Sequence, residues 1–201
     1  QADANTIEWK GKRYTYNNDL TNILFLGIDK SEQINDSYAP GDAGQADCIM
    51  LLSLDQTTDQ ARILQINRNT MTKVDIYDVS GNYYTSIDSQ LATQYGYSIG
   101  GASSSWAMEK TVSELLYNVP IDGYFSMDMS GIAEINDALG QVTVTMAEDY
   151  TEIDPAFEKG ASVKLTGDQA ERFLRYRDTD EFNSNEGRMH RQVKYITAML
   201  D

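Results

Sequence analysis

The stretch "NILFLGI", residues 22–28, is a short apolar run that follows Asn22 and includes Gly27. Its length suits a strand covered on both faces, since buried helices need more residues. "CIMLLSL" (48–54) and "ARILQI" (61–66) repeat the type, joined by the polar turn "DQTTDQ" (55–60). Between the first two runs lies "DKSEQINDSYAPGDAGQAD" (29–47), whose Gly, Asp and Ser content marks a loop. Upstream, "IEWKGKRYTY" (7–16) alternates apolar and polar residues around Lys10-Gly11-Lys12 and predicts a hairpin. Downstream, helices are expected over 87–95 and over 103–117, the second with Trp106, Val112, Leu115 and Leu116 on one apolar face. "DGYFSMD" (122–128) and "VTVTM" (142–146) read as strands flanking a short helix, "SGIAEINDALG" (130–140), which Gly140 closes. "TGDQAERFLR" (166–175) opens with Thr166 three residues before Gln169, a capping box. The last helix is expected over 188–200. Strands alternating with helices predict an α/β chain, a three-layer α/β/α sandwich with a mixed central sheet. Residues 1–21 read as a lead-in to one domain over 22–201, with no internal repeat and no dividing linker.

The chain has 201 residues, enough for a substantial core. A formal net charge of −15 argues against general nucleic-acid binding, which needs an excess of Lys and Arg. No run of about 18 apolar residues occurs, so no spanning helix is expected within it. The sequence starts at Gln1 without a signal-like stretch, and any targeting or anchoring segment is expected upstream. Cys48 is the only cysteine, which excludes an internal disulfide, and its apolar neighbours predict a small buried side chain. His190 is the only histidine, so a multi-histidine zinc site is excluded, and a solvent-facing helical position is expected for it. "GYSIGGASSS" (96–105) lacks the Lys-Ser/Thr pair of a P-loop. The 13 tyrosines are scattered and read as core and rim residues, not as a carbohydrate platform.

Against this acidic background, Arg172, Arg175, Arg177, Arg188, Arg191 and Lys194 gather near the C-terminus. Arg175 and Arg177 would leave one face of an extended segment, and Arg188, Arg191 and Gln192 would cluster on a helix. Grouped guanidinium groups repel unless an anion sits among them, and their planar forks suit phosphate oxygens. Salt bridges to Asp178, Asp180, Glu181 and Glu186 are the competing reading, and charge counts alone favour it. Asp29 follows the first strand, Asp47 precedes the second, and Arg68 follows the third. Two carboxylates at strand ends suit a hard cation such as Mg²⁺; taken singly, each reads by default as a turn cap.

Together, in order, these pieces resemble the LytR-CpsA-Psr family of cell-envelope proteins. "NILFLGIDKS" (22–31), "GQADCIMLLSLD" (44–55) and "ILQINRNT" (63–70) match its first blocks. "NDALGQVTV" (136–144), "LTGDQAERFLRYRD" (165–178) and "NEGRMHRQ" (185–192) match its later ones. The resemblance implies an α/β/α catalytic domain held at the extracellular face of the cytoplasmic membrane by a single upstream transmembrane helix. It implies a Mg²⁺-dependent phosphotransferase that moves a glycopolymer, of teichoic acid or capsular polysaccharide type, from a polyprenyl-pyrophosphate carrier to peptidoglycan. The polyprenyl tail is expected between sheet and helices. Carried over, Asp29 and Asp47 are the metal positions. Arg68, Arg175, Arg177 and Arg188 are the catalytic ones, and Gln45, Arg191 and Gln192 join these four arginines in substrate binding.

Three positions depart from the family pattern: Gln45 stands where arginine is common, Asn69 where aspartate is, and Asn185 where an acid is. They keep two further readings open: a polyprenyl-pyrophosphate-binding protein without turnover, and a lipid-carrier pyrophosphatase using water as acceptor. DNA binding is discounted on charge and for want of a recognition helix.

Overall fold

The computed structural model describes residues 6–177 and 184–200. The chain falls into two compact units, Gln1–Ile28 with Ile34–Ser126, and Asp29–Gln33 with Met127–Asp201.

The first unit starts with the expected hairpin, β1 (Thr6–Trp9) and β2 (Lys12–Thr15), turning through Lys10 and Gly11 at positive φ. The run that opened the sequence analysis is β3 (Leu20–Ile28), antiparallel to β4 (Ala46–Asp55), which in turn pairs with β5 (Gln60–Gln65). In β3, Leu24, Leu26 and Ile28 are fully buried while the alternate residues are half-buried. Gly27 is required by a close approach: a Cβ there would lie 2.9 Å from the Cβ of Cys48, beside the irregularity that carries the pairing on to Ile28 and Ala46. Cys48 is buried, as expected.

The buried Asn22 is satisfied on all sides. Its Oδ1 accepts from Ser53 (2.6 Å), its Nδ2 donates to the Pro120 carbonyl (2.8 Å) and its amide donates to Asp122 (2.7 Å).

Two elements differ from expectation in the next segment. β6 (Met71–Tyr77) and β7 (Tyr83–Gln90) form an antiparallel hairpin, and only α1 (Thr93–Gly96) is helical in the stretch read as a helix over 87–95. Seven registered pairs, Val74 opposite Ile87 among them, outweigh the helical spacing. The turn is set by Asp78, whose Oδ1 accepts from the amides of Ser80 and Asn82, with Gly81 at φ +77°. In α2 (Gly101–Leu115), the buried positions are Gly101, Ser104, Ser105, Ala107, Met108, Thr111 and Val112. Met108 and Val112 pack on Leu24, Leu26, Ile28, Ile49, Leu91 and Tyr95, with Leu115 and Leu116 at the margin. Trp106 is not on that face; it is 53% exposed. The i, i+3, i+4 set that wins is the one centred on small residues, which lets the helix lie close to its neighbours.

The sheet order is β5-β4-β3-β8, where β8 is Gly123–Asp128. The Asp122 amide donates to Asn22 and the Met129 amide to Lys30, so β8 runs parallel to β3 in a sheet otherwise antiparallel. The fold is α/β with a mixed sheet, as the sequence predicts.

The second unit contains α3 (Gly131–Ala138), the short pair β9 (Thr143–Thr145) and β10 (Ser162–Lys164), α4 (Gly167–Arg175) and α5 (Ser184–Leu200). Gly140 follows α3 at φ +82°, and the Thr166–Gln169 capping box opens α4, both as expected. Phe173 stands edge-on to Phe157 and Tyr150, with ring centroids 5.6 and 5.9 Å away.

Asn136 is the polar hub of this unit. It is fully buried, donates to the Leu165 carbonyl (2.8 Å), and accepts from the Val142 amide (3.2 Å) and the Tyr195 hydroxyl (3.2 Å). Burial pushes the Tyr195 hydroxyl up to about 12, so it stays a donor at any physiological pH. Asn136→Ala should cost about 2–3 kcal/mol, because a carbonyl, an amide and a phenol lose their partner together. Chemical denaturation of the two proteins measures this, and a loss below ~1 kcal/mol would remove Asn136 as the hub.

Candidate functional site

In the first unit the β4–β5 ladder aims one arginine. The register pairs Met50 with Gln65, and the Ile66 amide continues it by donating to Ile49 (2.9 Å). Extending that register past the end of β5 sets Arg68 beside Asp47. Two buried residues before α1, Leu91 and Ala92, then lock the backbone. The Leu91 amide donates to Thr70 (2.8 Å), the Ala92 amide to Arg68 (3.0 Å), and the Ala46 amide to Ala92 (3.1 Å). With its backbone fixed, Arg68 forms an ion pair with Asp47 and donates from Nη2 to the Gln45 Oε1 at 2.5 Å. Both charged side chains are largely covered, at 17% and 13% exposed.

Three sequence-predicted residues thus meet: Gln45, Asp47 and Arg68. A neutral amide at Gln45 supplies an acceptor to Arg68, whereas an arginine there would bring a second cation. Asn69 stays outside the cluster; it is exposed and its amide turns back onto Asn67 (2.9 Å).

In the second unit, Arg188, Arg191 and Gln192 share a buried face of α5. Arg188 donates from Nη2 to the Asn185 Oδ1 (2.9 Å), so Asn185, one of the three departures expected from the resemblance, contacts this arginine. Arg191 is directed onto the end of α4. Its Nε donates to the Phe173 carbonyl (2.9 Å), its Nη2 to the Tyr176 carbonyl, and its Cζ lies over the rings of Tyr150 and Tyr176, 5.5 and 5.6 Å from their centroids. Burial, with Arg188 nearby, lowers the proton affinity of this guanidinium.

Arg175 is the last residue of α4, and the backbone turns extended only at Tyr176. The shared-face argument for Arg175 and Arg177 required an extended segment and does not apply. Arg175 instead pairs with Glu171 one helical turn back, while Arg177 is exposed beyond the helix. Arg172 pairs with Asp154 at 2.7 Å. These ion pairs border a cavity of about 340 Å³ lined by Glu152, Ile153, Glu171, Arg172, Arg175 and Tyr176. Of the acids expected to neutralise the arginines, Asp178, Asp180 and Glu181 lie outside the described residues, and Glu186 is exposed. Asp29 is exposed at the start of the second unit, and His190 is exposed on α5, as expected.

Among the described residues no group of three or more His, Cys, Asp or Glu is placed to hold a metal ion, and no helix is long and apolar enough to cross a membrane. Neither the Leu91–Ala92 strut nor the tyrosines around Arg191 can be read from the sequence, because both depend on tertiary placement.

The family model described as LytR_cpsA_psr matches residues 2–201. The polyisoprenyl-teichoic acid–peptidoglycan teichoic acid transferase TagU of Oceanobacillus iheyensis is 31% identical over 183 residues, covering 91% of this chain and 51% of that protein. The chain thus spans about half the length of the curated relatives it matches. Among solved structures, the Lin1025 protein of Listeria innocua aligns with a TM-score of 0.66 at 25% identity, over 90% of this chain and 64% of that one. TagT of Bacillus subtilis aligns at 0.63 and 21% identity, over 92% and 65%, a likeness of fold alone. With the family model covering nearly every residue, the chain belongs to the LytR-CpsA-Psr family.

Proposed function

We propose that this chain is the catalytic part of a cell-envelope phosphotransferase that moves a glycopolymer of teichoic acid type from a polyprenyl-pyrophosphate carrier to peptidoglycan. The observation that carries the reading is Arg68, a cation fixed in direction by Asp47 and Gln45 within a chain that matches the family along its length. A guanidinium whose orientation is set before substrate arrives stabilises charge at a transferring phosphoryl group without reorganising. In the proposed reaction an acceptor hydroxyl attacks the phosphorus that carries the polymer. The new O–P bond forms, the phosphoanhydride bond breaks, polyprenyl phosphate leaves, and the hydroxyl proton passes to solvent. Arg68 holds the oxygens of the leaving phosphate. Arg175, Arg177, Arg188 and Gln192 are proposed as further contacts to the anionic substrate.

Mg²⁺ is part of this proposal. A protein-only cage does not fit the donors, but an ion held by one or two carboxylates and completed by phosphate oxygens and water does. Asp47 is the proposed ligand in the first unit, and Asp29 is proposed separately as a metal position in the second; when bound, the ion would offset charge on the pyrophosphate. Attachment to the outer face of the cytoplasmic membrane through a preceding segment also belongs to the proposal. Asp47→Asn should reduce the response of turnover to added Mg²⁺ by about tenfold; an unchanged Mg²⁺ titration would move the ion elsewhere.

A second reading, a lipid-pyrophosphate receptor without turnover, is favoured by one observation, that Arg188 is met by the neutral Asn185. Incubation with a polyprenyl-pyrophosphate glycan and peptidoglycan, followed by mass spectrometry, tests both. Polyprenyl phosphate release with polymer appearing on peptidoglycan supports transfer. Bound lipid without release supports the receptor, release without attachment a pyrophosphatase, and no bound lipid defeats all three.

A further inference from the structure

Trp106 breaks the burial pattern of α2. A helix whose inner face is set by Ser104, Ser105, Ala107, Met108 and Val112 has no packing need for an indole at position 106. The ring instead borders an open cavity of about 340 Å³, shared with Tyr77 at the end of β6, Tyr124 on β8, and Ser98, Ala102 and Ser103. Tyr124 is 39% exposed, on the edge strand of the sheet. The walls are held firmly. The Tyr77 amide donates to Tyr97 (2.9 Å), and its ring stands edge-on to Tyr83 at 6.5 Å. Tyr124 shares one face of β8 with Ser126, whose hydroxyl meets that of Ser105 on α2 at 2.7 Å.

Three features of this groove point to a ligand class. Flat aromatic faces carry negative charge density, which attracts the weakly positive C–H edges of a saturated ring. Serine and tyrosine hydroxyls beside the rings both donate and accept, which suits a ligand rich in hydroxyls and amides. No lysine, arginine, aspartate or glutamate lines the cavity, and the chain carries a net charge of −15, so an anionic polymer gains nothing there and is repelled at long range. The volume lies at the lower end of the ~300–1,000 Å³ typical of small-ligand sites, too small for a long polyprenyl tail.

We propose that this groove is a saccharide subsite for an uncharged N-acetylhexosamine unit, stacked on Trp106 and Tyr124. On the transfer reading above, the peptidoglycan acceptor is a strand of such sugars, so the subsite is assigned to the acceptor. The stacking itself does not depend on that reading.

The test uses the two tryptophans. Trp9 lies in the hairpin of β1 and β2, so Trp9→Phe leaves Trp106 as the sole indole reporter. A soluble β-1,4-linked N-acetylglucosamine oligomer should change its emission saturably, with affinity at least tenfold weaker in Trp9→Phe/Tyr124→Ala and no response to a poly(glycerol phosphate). Trp106→Ala, followed by calorimetry, should lose sugar binding while thermal unfolding stays unchanged. Polyprenyl-pyrophosphate binding, measured on the same variants, should be unaffected. The subsite is overturned by no saturable response, by equal affinity in the Tyr124 and Trp106 variants, or by preference for the phosphate polymer or an alkyl detergent. If the wild type binds sugar but no lipid pyrophosphate, the transfer reading fails and the subsite stands.

Discussion

Arg68→Ala should lower polymer transfer by about 10²–10³-fold, the usual loss when one preorganised donor to a developing anion is removed. The size of the effect follows from how the side chain is held. Its backbone carbonyl is bonded by Ala92, its guanidinium is paired with Asp47, and Gln45 accepts a further bond, so its direction is set in the free protein. Truncation removes the donor and also leaves the largely covered Asp47 carboxylate without this counter-charge. Arg68→Lys should recover only part of the rate, since an ammonium cannot meet a carboxylate, an amide oxygen and a phosphate with one planar fork. Single-turnover transfer with saturating lipid substrate measures the effect. If the loss falls entirely in substrate affinity, with an unchanged chemical rate, Arg68 binds ground and transition states equally and is not the residue that stabilises the leaving phosphate.

What the sequence showed, and what it concealed, divides along the range of the interactions involved. β3 and β4 were legible as apolar runs because each carries its own signal, whereas β5, read as the same covered type, is a largely exposed edge strand with Leu64 48% exposed. Also legible were the Thr166–Gln169 capping box and the glycine after α3, whose geometry is local. The β6–β7 hairpin was concealed because Ile87 and Leu91 have helical spacing, and only pairing with Val74 and its neighbours settles the matter. Trp106 was misplaced for a related reason: hydrophobicity alone put it inside, whereas the close approach of α2 selects alanine and serine for the inner face. At the site, identity was readable and direction was not. Arg68, Asp47 and Gln45 meet through a register that continues past the end of β5, beyond what spacing along the chain can express. Arg175 shows the converse: its separation from Arg177 reads as one face only if the segment is extended, and α4 runs one residue too far for that.

Arg191→Met should destabilise the protein by about 3–5 kcal/mol, since two carbonyls each lose a charge-assisted hydrogen bond at ~1.5–3 kcal/mol apiece. At roughly 2–4 °C per kcal/mol for a chain of this length, the melting temperature should fall by about 10 °C. The reason lies at the end of α4. A helix leaves its last carbonyls without intrahelical donors, and here the Phe173 and Tyr176 carbonyls both take theirs from Arg191. The guanidinium also packs over the rings of Tyr150 and Tyr176, where its weak hydration makes burial tolerable. Methionine keeps much of the volume and none of the donors. Lysine keeps a charge but reaches the two carbonyls from a single point, so Arg191→Lys should recover less than half of the loss. The spacing of Arg188, Arg191 and Gln192 suggested three contacts to one anion, and the two roles predict different measurements. A residue that fixes the end of α4 changes the melting temperature with no ligand present. A residue that only holds phosphate leaves it unchanged and weakens lipid-pyrophosphate binding instead. Thermal unfolding of ligand-free Arg191→Met and Arg188→Met, side by side, separates them, and an unshifted Arg191→Met would return that residue to the substrate.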